Sequence, residues 1–247
     1  MGFSLLAFCE STTAMTALDN IAPIIDQHVT VTGDDISVPS FAPNLGMLYA
    51  FGAGIAQCRV ASPSLRHSLL PEVMPVDVSA EPTTGFKILS HFDRPFELTP
   101  SEGLQATVIH ANTEYDTVLV WLFDAIEAAP AGEIVTVQAT GTTTLTAYGW
   151  SLVPLTFSQQ LEAGTYAIVG MRAASAGALA ARVVLSGSPF RPGVVGYDAV
   201  SDMENDIFRN GNLGVFGTFE HSAQPQVEFL SVSADTAETV YFDLIKL

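Results

Sequence analysis

Apolar and polar residues alternate in places along this chain and run together elsewhere, in short stretches divided by turn residues. From residue 96 onward, "FELTP", "LQATVIHAN", "TVLVWLFDAI", "EIVTVQAT", "TLTAYGWSLVPLTF", "TYAIVGM", "ARVVLSG", "LGVFGTFEH", "QVEFLSVS" and "TVYFDLIKL" are rich in β-branched and aromatic residues. Gly, Pro, Asn or Asp clusters separate most of them. In "QVEFLSVS", Val227 and Phe229 face away from Glu228 and Leu230, as on a half-buried strand. "TVLVWLF" is apolar on both sides and needs a second covering layer. Eight to ten such strands without a long amphipathic helix predict an all-β chain, a two-sheet β-sandwich over 96–247.

The stretch 164–187, "GTYAIVGMRAASAGALAARVVLSG", is nearly all small or apolar. Arg172 and Arg182 interrupt it, so it falls short of the roughly 18 uncharged apolar residues of a membrane helix. Two β-rich runs around a turn at Ser175–Gly177 predict a hairpin; its alanines leave a helix over 172–185 as the alternative. Burial of its apolar faces by neighbouring copies is the expectation.

Residues 1–95 predict an irregular N-terminal extension that clasps the sandwich. "TTAMTALDNIAPII" suggests a short helix capped by Thr12 or Thr13 and ended by Pro23. "HVTVTGDDISVP" reads as strand, acidic turn, strand. "NLGMLYAFGAGIAQCRVAS" fits strand or helix, and "SPSLRHSLLPEVMPVDVSAEP", with four prolines, reads as an extended covering segment.

Charge narrows the function. Nine basic against 26 acidic residues give a net charge of −17, and no Lys or Arg precedes Arg59. Such a chain repels phosphate, which argues against sequence-independent nucleic-acid binding. The start, "MGFSLLAFCESTTAM", lacks the basic region of a signal peptide, and Leu6 breaks the myristoylation pattern. A retained N-terminus and synthesis in a cytoplasm are therefore expected. Cys9 and Cys58 make no disulfide framework, and free thiols are expected.

Candidate chemistry is sparse. Gly149-Trp150-Ser151-Leu152-Val153 lacks the second glycine of a nucleophile elbow. Gly52 and Gly54 match two positions of a dinucleotide loop, but Gln57 stands at the third. His28, His67, His91, His110 and His221 form no close ligand pair. Asp202, Glu204 and Asp206 alternate as calcium ligands do, without the turn glycine, and a solvated acidic loop is the plainer reading, as it is for Asp34 and Asp35. Asp93, Glu97, Glu102, Glu114 and Asp116 offer no preferred pair for glycoside hydrolysis. Trp121, Trp150, Tyr148 and Tyr166 serve as sugar platforms if exposed and as core if not. Arg59, Arg66, Arg94, Arg191 and Arg209 lie in loop-like contexts and suit pairing with excess carboxylates. No catalytic, cofactor-binding or metal residue is assigned, and no cofactor is expected.

The run of strands from Phe96, the proline-rich extension before it, the long loop "SGSPFRPGVVGYDAVSD" and the closing strand "ETVYFDLIKL" make the chain resemble jelly-roll viral coat proteins of the phage type. That resemblance covers about 96–247 and is architectural. It implies a self-assembling capsid subunit of the virion, without catalysis, whose partners are copies of itself and other virion proteins. Many such proteins carry a basic arm, absent here, so the inner face would meet protein or an internal membrane, or the chain would decorate the exterior. The alternatives are a carbohydrate-binding or adhesin-like sandwich recognising a glycan receptor, and a sandwich-fold enzyme.

Overall fold

The computed structural model describes residues 2–12, 15–67, 75–79, 82, 89–90, 94–111, 114–125, 127–205 and 213–247, whose regular structure is almost entirely strand. The contacts divide the chain into two units: Leu5–Glu81 with Gly85–Asp124, and Met1–Ser4 with Pro82–Thr84 and Ala125–Leu247.

The amino-terminal unit holds β1 (Phe3–Thr12, from Leu5 on), β2 (Met15–Ile21), β3 (Val31–Thr32), β4 (Asp35–Ser37), β5 (Asn44–Gly52), β6 (Ile55–Ala61), β7 (Val76–Asp77), β8 (Leu89–Ser90), β9 (Phe96–Glu97), β10 (Gly103–His110) and β11 (Glu114–Phe123). One sheet runs β1-β11-β5-β7, with β8 and β9 also on β5; in the other, β10 is flanked by β2 and β6, and β4 continues to β3. The first strand therefore pairs with the last and the second with the last but one. That nested pairing is the jelly-roll winding.

The carboxy-terminal unit repeats it. Its described strands are β12 (Ile134–Gly141), β13 (Trp150–Val153), β14 (Thr156–Phe157), β15 (Thr165–Ala174), β16 (Ala178–Val184), β17 (Gly193–Val195), β18 (Gly217–Glu220), β19 (Gln226–Ser231) and β20 (Glu238–Lys246), with a short helix, α1 (Val200–Asn205). The sheets run β14-β12-β20-β15-β18 and β13-β19-β16-β17. Again the first long strand pairs with the last, and the second with the last but one.

The expected hairpin at 164–187 is instead an arch. β15 hydrogen-bonds to β18 and β20, and β16 to β17 and β19, so the three residues between them carry the chain from one sheet to the other. Both edges of each strand are taken by strands distant in sequence, which local pattern cannot reveal. Gly177 makes the turn with φ of +71°, a backbone conformation other residues resist. A Cβ there would also crowd Ser233 and Val232. β5 and β6 are joined by an arch of the same kind around Ala53–Gly54.

The strands apolar on both faces are covered within the chain itself. Val118 to Leu122 are at most 1 % exposed, and Ala178 to Ala181 are fully buried. Their hydrophobicity thus gives no case for burial by a neighbouring copy, contrary to expectation. Trp121, Tyr49, Phe51 and Phe229 are among the largest buried side chains. Each ring buries enough area to contribute on the order of 4 kcal/mol of gross transfer free energy.

Among the described residues, the first 95 positions contribute eight strands, several of them long, where an irregular clasp with short strands and a helix is expected. The expected boundary at 95/96 lies between β8 and β9, which both pair with β5. The helix expected before Pro23 is β2, because Met15–Ile21 finds a partner in β10 and tertiary pairing overrides the helix preference of Ala and Met. The "VTGDDIS" segment is the expected strand, turn and strand, with Gly33 at φ of +61°.

Candidate functional site

Antiparallel register sets the open end of the carboxy-terminal sandwich. Val135 pairs with Leu244, Ile134 with Ile245, and Tyr166 with Lys246, which brings Glu133 opposite Lys246. Alternation then points Glu133, Val135, Leu244, Lys246 and Tyr166 to one face. They bound a cavity of about 500 Å³ roofed by residues 159–162. Its floor is apolar: Tyr166 and Leu244 are buried and Val135 is 44 % exposed, while Leu161 of the roof is buried as well. Its rim carries Glu133, Gln159, Gln160, Glu162 and Lys246.

The roof is fastened to the floor. Tyr166 Oη donates to the Glu162 carbonyl at 3.0 Å, and Lys246 Nζ lies 2.9 Å from Glu162 Oε2. That bond holds the Glu162 carboxyl below its ordinary pKa and the Lys246 ammonium above its own. Beneath, the Tyr166 ring stacks on Phe219 with centroids 5.8 Å apart, and Phe157 stacks on Phe242. Gly164 N–H donates to His221 Nδ1 at 3.3 Å, tying the start of β15 to the end of β18.

Elsewhere, several described groups capable of chemistry serve the structure. His110 Nδ1 lies 3.2 Å from Asp116 Oδ2, and both side chains are fully buried across the β10–β11 connection. Cys9 and Cys58 are buried and form no disulfide. Burial pushes the Cys9 thiol up to about 12, against a hydrogen bond from Thr117 Oγ1 to its sulfur, and pushes Cys58 up as well. Neither thiol has the electropositive, partly exposed surroundings of a nucleophile. Glu102 accepts from the Ser62 and Ser64 hydroxyls; burial would raise its pKa, but these bonds outweigh it and hold it low. Asp235 accepts from Ser175 Oγ and Ala176 N–H, and Asp198 from Gly177 N–H, so two carboxylates pin the β15–β16 arch.

The residues singled out by sequence scatter accordingly. Ser151 lies within β13, buried, and its Oγ accepts the Thr146 N–H at 2.7 Å, as no nucleophile elbow would. Gly52 ends β5 against Asp116, with no phosphate-binding turn into a helix. Trp121 is core, and Trp150 is covered by the Arg182 guanidinium. Tyr166 is buried, its ring stacked on Phe219, and the residue lines the cavity. Arg59 lies in β6 rather than in a loop, and Arg191 is buried, donating to the Ser188 and Phe190 carbonyls. Asp202 and Glu204 lie in α1, while Asp206, His91, Asp93 and Arg209 fall outside the described residues. Among the described residues, no three His, Cys, Asp or Glu side chains converge as a metal site requires.

Sequence reasoning missed the His110–Asp116 pair and the cavity. The first had a faint signal, two titratable residues flanking one tight inter-sheet connection. The second had none, because it is assembled from three strands and a loop.

No protein-family model matches the chain, and no curated protein matches it. Among solved structures, it is similar to the major capsid protein P2 from bacteriophage PM2, at 12 % identity over 99 % of this chain and 98 % of that one, with a TM-score of 0.28.

Proposed function

We propose that the chain is a structural virion protein, a self-assembling coat subunit without catalytic activity. The observation that carries this reading is the repetition of one jelly-roll winding in two successive sandwiches. Side chains able to do chemistry support it by serving as fasteners: Asp235 and Asp198 at the β15–β16 arch, Glu102 on the Ser62 and Ser64 hydroxyls, His110 on Asp116. A net charge of −17 favours protein neighbours over nucleic acid. The division into amino- and carboxy-terminal sandwiches at Asp124/Ala125 belongs to the same reading: each would be a building block of the shell, its exterior or a layer against an internal membrane. Negative-stain microscopy of the purified chain tests it. Closed shells, sheets or discrete rings are expected; a uniform field of single-chain particles under all assembly conditions would overturn the reading.

A further inference from the structure

We infer that the cavity at the mouth of the carboxy-terminal sandwich is a binding site for a neutral saccharide. Its volume, about 500 Å³, falls within the range of small-molecule sites. The chemistry of the lining selects the ligand. An anion would meet two carboxylates, Glu133 and Glu162, and only one ammonium, that of Lys246, which is already bonded to Glu162. A lipid chain would strand the rim's charges and carboxamides against hydrocarbon. A cation would have to compete with Lys246 for Glu162. A sugar suits both parts of the wall: hydroxyls donate to the carboxylates and accept from Gln159, Gln160 and Lys246, while a C–H face lies on the half-exposed Val135, beside the narrow accessible edges of Tyr166 and Leu161.

The wall is organised before a ligand arrives. Tyr166 Oη holds the Glu162 carbonyl and so ties the roof backbone to β15, while the exposed Lys246–Glu162 pair adds little; less ordering of the roof accompanies binding. Glu133 and Gln160 are exposed and can turn to a ligand at little cost to the fold. This site stands independently of the coat reading: a virion subunit or a free protein could carry it.

The test is a titration of the whole chain, by saturation-transfer and protein-observed NMR, with the methyl glycosides of glucose, galactose, mannose and N-acetylglucosamine. Spermidine and inorganic phosphate are the cationic and anionic probes. At least one glycoside should bind with a dissociation constant of about 1 mM or tighter and shift the Tyr166 ring signals. Glu133→Ala and Gln160→Ala should each weaken it about fivefold or more, roughly the loss of one hydrogen bond, with unchanged circular dichroism and melting temperature. No glycoside binding up to about 10 mM, binding indifferent to both substitutions, or uptake of spermidine or phosphate without any glycoside would each overturn the inference.

Discussion

Arg182 donates from Nε to Glu228 Oε2 at 2.6 Å, and its guanidinium sits 3.9 Å from the centre of the Trp150 ring. Arg182 is 1 % exposed and Glu228 is 16 % exposed, so three neighbouring strands, β13, β16 and β19, share one buried cation. Breaking such a pair strands a charge, which costs more than the pair itself contributes. Glu228→Gln should therefore destabilise the chain by about 3 kcal/mol. Arg182→Met, which removes the charge and keeps the stem, should cost less. Urea unfolding of the two variants checks the order; equal losses would show that the cation is not what matters.

Gly52 ends β5 directly against Asp116, and a methyl group there would overlap the carboxylate that holds His110. Gly52→Ala should cost about 2 kcal/mol or more through overpacking, seen as a lowered urea midpoint with unchanged slope.

Glu238 is 1 % exposed, and its Oε1 has no hydrogen-bond partner among the described residues. Burial raises its pKa above the ordinary 4.5, and the nearby Asp235 charge adds to this, against the Thr143 N–H bond to Oε2. The folded state therefore binds more protons than the unfolded one just above pH 4.5, and stability falls as pH rises through that window. Glu238→Gln should raise stability at neutral pH, and the gain should vanish below about pH 4.5. Melting curves from pH 3.5 to 8 decide it; a constant difference would contradict the assignment.

Asp235 behaves oppositely. Burial alone would raise its pKa, but N–H groups of Ala176, Thr236 and Ala237 and the Ser175 hydroxyl outweigh that and lower it below 3.8. Its contribution is complete above that value and is lost as pH falls through the lowered one. Asp235→Asn should cost about 1–3 kcal/mol at neutral pH and speed amide exchange at the 175–177 arch.

Strands were legible in the sequence because a period of two and punctuating turn residues are local properties. Their partners were not. "TYAIVGM" and "ARVVLSG" adjoin in sequence but bond to β18, β20, β17 and β19, and only the fold supplies those pairings. The same limit concealed that β5 and β6 belong to a sandwich of their own, since Asn44–Gly52 completes its edges with β7, β8, β9 and β11. Tyr166 is core, its ring buried against Phe219, yet the residue borders a cavity that also takes Glu133 and Lys246 from distant parts of the chain.

Buried thiols should be inert in the folded chain. Ellman's reagent at pH 8 should find neither Cys9 nor Cys58 until denaturant is added, given a Cys9 pKa near 12. Prompt reaction of either would mean that the amino-terminal unit opens readily.

Self-association tests the central claim most directly. Light scattering on a size-exclusion column, over a wide range of concentration and salt, should give masses well above the 26.2 kDa of one chain, at integral multiples or as closed particles. A mass of 26.2 kDa at every concentration would contradict the coat reading.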